Sequence, residues 1–280
     1  GWQQRASVLY ASGGTINVDA ADSIMFTDTA KVGGNAVGAY NGGNINIKDA
    51  TSVVVDGRVY DHGEGSKVDI ANVGNVSVTS ASGSAINSAS SNSVIEVGDA
   101  KTQTVKITGV TQELSKVTDA NGNFVSYNED NRAVVYAKGT VNITATDKVE
   151  IVDKNDQKAI SAYGGANVTV DGGNQTLIYG EINADGHEYA SLQGGRIEHQ
   201  DNGIHEKINI AVKGDAIVID AKGGEAVFAR GDSVGGDEAV IKVGDVDTDS
   251  VYITNTTNGL AAMYNGSKVE VNGERLDVNA

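Results

Sequence analysis

The sequence predicts an all-β fold, one elongated parallel β-helix (a β-solenoid) of about eleven coils with three short strands each. Three observations point there. A twelve-residue pattern returns without a gap at four places. Apolar and polar residues alternate with period two in short pieces bounded by Gly, Asn and Asp. The 280 residues include 36 Gly and no Pro.

The repeat decides the architecture. Ala36 to Ile47 aligns with Ala159 to Val170, with Ser7 to Val18 and with Leu260 to Val271, and looser copies begin near Ala85, Ala133 and Ala226. A unit this short cannot bury its own inner face, so stacked neighbours must do it. Within one coil, Ala36 to Tyr40 reads as a first strand and Asn41-Gly42-Gly43 as a corner. Asn44 to Ile47 is the second strand, Lys48 to Ser52 a polar corner and Val53 to Val55 the third strand. The later part of the coil repeats as well, in Ile16–Ile24, Ile45–Val53, Ile95–Val105, Val141–Val149, Val168–Leu177 and Ile241–Val251. No segment sustains a 3.6-residue period with caps, so almost no helix is expected.

The copies start at uneven intervals, short from Ser7 to Ala36 and from Ala133 to Ala159, longest from Ala159 to Ala226. With Ala36 to Ala85 and Ala85 to Ala133 taken as two coils each and Ala159 to Ala226 as three, a coil has about 22–29 residues, and eleven coils at the parallel-strand spacing make a rod on the order of 50 Å long. The interior is expected to be a column of Val, Ile and Ala. Asn44, Asn167 and Thr15 are placed for ladders near the corners. Tyr10, Tyr40, Tyr136, Tyr163 and Tyr264 recur at coil positions, where they either pack at a corner or offer rings to sugar faces. Residues 1–280 read as one β-helix with an irregular excursion at about 179–207 and a looser loop at 109–131.

Composition narrows the function classes. Gly supplies positive-φ corners, and the lack of Pro leaves every ladder donor in place. Zero Cys excludes disulfides and thiolate metal sites. A formal charge of −16 opposes binding to nucleic acid or anionic lipid. No apolar run is long enough to cross a bilayer as a helix, so no membrane insertion by a helix is expected. Gly1 to Arg5 lack the apolar stretch of a signal peptide, and Gly1 in place of Met is expected of an excised or processed fragment.

The Gly-rich, Pro-free, Cys-free coils with Asn, Thr and Ser on their outer faces resemble the passenger domains of bacterial autotransporters over nearly the whole chain. The resemblance implies a right-handed helix, export to the outer surface of a Gram-negative bacterium, and a membrane barrel elsewhere in the parent chain. It implies an adhesin that attaches to a host-cell receptor or glycan, or to other bacteria. Self-association in aggregates and biofilm is the alternative, and a carbohydrate-active β-helix enzyme is a third.

Several short constellations could carry chemistry. Arg230-Gly231-Asp232-Ser233 sits at an enlarged corner running to Glu238. An exposed cation and carboxylate at that spacing suit an integrin-type receptor, and the plain reading is a Gly corner that follows Arg. Gly231-Asp232-Ser233-Val234 matches serine-hydrolase blocks only in part, and no His follows His205 to act as base. His187, His199 and His205 lie among acids and could take zinc, at spacings that match no metalloenzyme motif; a solvated loop is the plain reading. Asp19, Asp49, Asp99, Asp171 and Asp245 share one corner, which would either gather weak calcium or be a solvated edge. The carboxylate pairs of galacturonases are missing and only His62-Gly63 matches their pattern, so neither catalysis nor a resident cofactor is expected.

Overall fold

The computed structural model describes residues 7–28, 34–111, 116–118, 124–127, 133–185, 192–193, 196–197, 207–222, 225–231, 238–254, 256, 258–263 and 266–279. Three nine-stranded sheets, each parallel throughout, wind round one axis, and every coil gives one strand to each. The strands of sheet 1 are Ser7–Ser12, Asn35–Tyr40, Arg58–His62, Ile86–Ser88, Val135–Ala137, Lys158–Tyr163, Glu181–Asp185, Glu225–Arg230 and Gly259–Met263, which number coils 1 to 9. In each coil the sheet 1 strand is followed by one of sheet 2, from Thr15–Asp19 in coil 1 to Lys268–Val271 in coil 9, and then by one of sheet 3, from Ser23–Thr27 to Arg275–Val278. The described residues thus form a parallel β-helix with three strands per coil. Nine coils at the parallel-strand spacing span about 38 Å.

The nine coils replace the eleven expected because two long intervals hold insertions. The stretch from Ala85 to Ala133 is a single coil, whose strands at Ile86 and Val135 are direct neighbours. Its extra length carries an antiparallel hairpin of Lys116–Thr118 and Phe124–Tyr127. The stretch from Ala159 to Ala226 is two coils, the second carrying a hairpin of Leu192–Gln193 and Arg196–Ile197. The regular stack also runs further than the repeat suggests, since Glu181–Asp185 is a sheet 1 strand inside the expected excursion.

Inward side chains stack on their equivalents one coil away. In sheet 2 the column Ile45, Val68, Ile95, Val141, Val168 is buried throughout, as is Val55, Val78, Ile107, Ile151, Ile178 in sheet 3. Sheet 1 pairs one larger column (Val37, Val59, Ile86, Val135, Ile160) with one of Ala39, Ala137, Ala162, Ala184 and Ala229. Small residues there keep the sheet close to the facing Val and Ile columns. Asn ladders occur outside, Asn46 Nδ2 donating to Asn17 Oδ1 at 2.8 Å and Asn209 Nδ2 to Asn167 Oδ1 at 3.0 Å.

The alanine column is broken in coils 3 and 4 by Asp61 and Ser88, both fully buried. Asp61 accepts hydrogen bonds from the Ser66 hydroxyl and from the Val94 N–H at 3.0 Å, tying coil 3 to coil 4. Ser88 Oγ lies 2.6 Å from Ser93 Oγ. Burial raises the Asp61 carboxyl from 3.8 to about 7, against the pull of those two donors.

Two measurements check this core. Replacing Ile143, fully buried in sheet 2, by Ala should cost about 2–5 kcal/mol in denaturant unfolding. The folded chain holds the Asp61 proton up to about pH 7 while the unfolded chain releases it near 3.8, so the contribution of Asp61 is full below 3.8 and falls as pH rises to about 7. Thermal melts of wild type should therefore drop across that window relative to Asp61→Asn, with the difference between the two levelling off above it.

Candidate binding face

Sheet 1 is marked out by its connections. Every link from sheet 2 to sheet 3 is six residues or shorter, whereas every connection of seven residues or more flanks sheet 1: 28–34, 110–134, 186–207 and 231–238. The two described hairpins leave from its opposite edges, and strand Phe124–Tyr127 of one touches strand Leu192–Gln193 of the other. Long excursions on one face of a solenoid are where recognition is commonly carried.

The outer surface of sheet 1 also differs in chemistry. Its central outward column reads Tyr10, Gly38, Tyr60, Asn87, Tyr136, Ser161, Asn183, Phe228, Ala261, with no charge in nine coils. The matching faces of the other sheets are charged, with Lys67 paired to Asp69 at 3.4 Å and to Glu96 in sheet 2, and Lys106 to Glu150 at 2.7 Å in sheet 3.

Over coils 1–3 this column is an aromatic ladder. Gly38 leaves its place empty, and the ring of Tyr40, two residues on, fills it. A Cβ at Gly38 would lie 2.9 Å from Tyr40 Cε2. The Tyr40 ring therefore stands between Tyr10 and Tyr60, at centroid distances of 5.0 and 5.4 Å and tilts of 37° and 42°. Asn35 Nδ2 donates to the Tyr40 hydroxyl at 2.7 Å, and burial raises the Tyr40 pKa above its usual 10.0. His62 meets Tyr60 edge-on at 6.1 Å and lies 3.1 Å from Ser90 Oγ through Nδ1. Tyr10 is 38% exposed, and Tyr40, Tyr60 and His62 are half-buried, so this part of the face is open.

Over coils 4–7 the same column is buried, though it points outward. Asn87, Tyr136, Ser161 and Asn183 are each 3% exposed or less. The coils 1–3 arrangement recurs, small Ser161 being followed two residues on by Tyr163, whose ring lies 5.4 Å from that of Tyr136. Among the described residues, both amide atoms of Asn87, the Ser161 hydroxyl and Asn183 Oδ1 have no hydrogen-bond partner, and neither has Asn35 Oδ1 beside the open ladder. Each such atom costs about 1–3 kcal/mol, so a row of them is a standing demand for polar contacts.

The sites read from the sequence fall as follows. Arg230 ends the sheet 1 strand of coil 8, its guanidinium 5.9 Å from the Phe228 ring centroid, and Gly231 after it is buried. Asp232 and Ser233, His187, His199 and His205, and Tyr264 lie outside the described residues. Among the described residues no group of three or more His, Cys, Asp and Glu is arranged to hold a metal ion. The aspartate corner is occupied by turn hydrogen bonds. Asp99 accepts from the N–H groups of Asn72 and Lys101 at 2.7 and 2.8 Å, Asp245 from Asp247 N at 3.0 Å, and Asp171 from Gly173 N at 3.0 Å. Thr102 and Thr248 close the first two turns by accepting from the N–H of Asp99 and Asp245. Burial pushes the Asp99 carboxyl up, but the Lys101 and Asn72 N–H groups outweigh it and hold it below the ordinary range.

Tyr60 and Asn87 escape the sequence pattern because their coils lack the Tyr-Gly-Gly corner. Setting Val59 and Ile86 beneath Val37 finds both. Tyr10 falls one residue out in the ungapped alignment. That alignment pairs it with inward Ala39, whereas the structure pairs it with Gly38, because the Gly13-Gly14 corner is a residue shorter than Asn41-Gly42-Gly43. Comparisons of the chain with protein-family models, with curated proteins and with solved structures found no match.

Adding a methyl at Gly38 should displace the Tyr40 ring. Gly38→Ala is expected to reduce the tyrosine near-UV circular dichroism and to cost about 1–3 kcal/mol, while Ala261→Gly in the same column of coil 9 leaves the spectrum unchanged.

Proposed function

We propose that the protein is an adhesin fragment of the autotransporter-passenger type, displayed on a bacterial surface, which attaches through the outer face of sheet 1 and the connections along its edges. One observation carries this reading. The only sheet whose central outward column is uncharged is also the sheet flanked by every long connection. A stalk without a recognition role has no reason to keep the central column of one face uncharged when those of the other two carry Lys and Glu; the Lys158–Glu181 pair of sheet 1, at 3.9 Å, lies at the strand starts, outside that column. The enlarged 230–238 corner opens at the same edge, directly after Arg230.

Attachment of mammalian cells and of bacteria to the immobilised protein tests the reading, with Asp232→Glu alongside. Attachment to wild type is expected. A fall with Asp232→Glu would assign it to the 230–238 corner, and an unchanged level would assign it to the sheet face. Failure of both cell types to attach would overturn the reading, and a concentration-dependent dimer in sedimentation would then replace it with self-association.

A further inference from the structure

The open part of sheet 1 has the chemistry of a particular ligand class. From Tyr10 through Tyr40 to Tyr60, three rings follow one another along the axis at 5.0 and 5.4 Å, close to the coil-to-coil spacing. The rings are tilted by 37° and 42°, so neighbours do not fully cover each other's faces. An aromatic face is electron-rich and attracts polarised C–H groups. Hydrogen-bonding groups lie beside them: the Tyr40 hydroxyl held by Asn35, His62 beside Ser90, and Asn87 next in the column after Tyr60. The Arg58 cation, whose charge reaches Tyr40, is 1% exposed and donates through Nε to the Ser84 carbonyl at 3.1 Å. Among the described residues, Asn87 has both amide atoms unpartnered, and Asn35 has an unpartnered carbonyl oxygen. These two residues are 1% and 3% exposed, so their unmet capacity is built into the face.

From this arrangement we infer that coils 1–3 bind a linear neutral polysaccharide, laid along the helix axis with its sugar rings against Tyr10, Tyr40 and Tyr60. A pyranose ring shows C–H groups on its face and hydroxyls on its rim, which matches aromatic rings edged by amides, phenols and imidazole. Chain direction follows from the ladder, because one sugar unit advances about as far as one coil. Neutrality follows from charge. The ladder column itself holds no cation to pair a carboxylate or sulfate, the nearby Arg58 is buried, and the formal net charge of −16 repels polyanions. A protein partner is disfavoured by the narrow one-column width of the ladder, since a stable protein interface needs a broad patch.

The inference rests on the adhesin reading and goes further by naming the ligand. Affinity electrophoresis in native gels containing dextran, hydroxyethyl cellulose, mannan or galactan tests it, with polygalacturonate as the acidic counterpart. Wild type should be retarded by at least one neutral polymer and not by polygalacturonate. Tyr40→Ala should weaken retardation about tenfold, Tyr40→Phe should retain it, and Tyr252→Ala on sheet 3 should leave it unchanged. Thermal melts of each variant separate loss of the ring from loss of the fold. No retardation by any neutral polymer, retardation by polygalacturonate, or equal retardation of a folded Tyr40→Ala overturns the inference. Cell attachment that survives Tyr40→Ala while neutral polymers fail to bind would overturn the ligand class and leave the adhesin reading standing.

Discussion

Everything in this molecule depends on register between successive coils. A strand that alternates inward and outward has no tolerance for a one-residue slip, because the slip exchanges its two faces. No coil has a core of its own. The Val, Ile and Ala columns exist only because each inward residue lands on its equivalent one coil away, and the backbone bonds that set this landing also hold the coils together. Long insertions are therefore confined to corners. A residue added at a corner leaves every pairing intact, whereas one added inside a strand must be absorbed as a bulge, as at Ala36, Ala159 and Ala226.

That confinement explains what is legible in the sequence. Coil type and strand order are readable from Ala36–Ile47 and Ala159–Val170, where corner lengths match and the alignment is the structural register. Coil number is not, because the interval from Ala85 to Ala133 has the length of two plain coils or of one coil and a hairpin, and the looser loop legible at 109–131 marks a break in the rhythm without fixing the count. The alignment also slips at Val168–Leu177. There Thr176 takes the inward place between Val149 and Ile217, its hydroxyl satisfied by the Lys213 carbonyl, and Leu177 faces out. A buried threonine with a partner is chemically sound, but hydrophobic pattern alone prefers the leucine.

The aromatic ladder is half visible for a related reason. Tyr10 and Tyr40 stand out as recurrent residues, but their adjacency arises from two different columns. Tyr10 and Tyr60 occupy the central column directly, while Tyr40 reaches it over the vacancy at Gly38. A glycine in a strand normally weakens it. Here its missing side chain is what completes the row. The aspartate corner shows the reverse case. Its carboxylates recur as regularly as metal ligands would, yet at Asp99, Asp171 and Asp245 backbone N–H groups take them up, and the Asp-x-x-Thr spacing at Asp99 and Asp245 is the local signature of that use.

The corner between sheets 2 and 3 has its own consequence. Backbone bonds climb it from coil to coil, from Thr51 to Asp22, Asn75 to Thr51, Thr146 to Thr102, Asp249 to Asp215 and Arg275 to Asp249. These bonds, like those of the sheets, run along the rod, so tension applied at its two ends loads them one coil at a time rather than together. Coil 3 is a plain coil, running from Val59 to its neighbour Ile86 with no hairpin inserted. Peeled away and drawn straight, such a coil becomes a tether of about 90 Å where the rod loses only about 5 Å. The solenoid is in this sense a reel: it yields in discrete lengths under pull, and the coils not yet reached keep their shape.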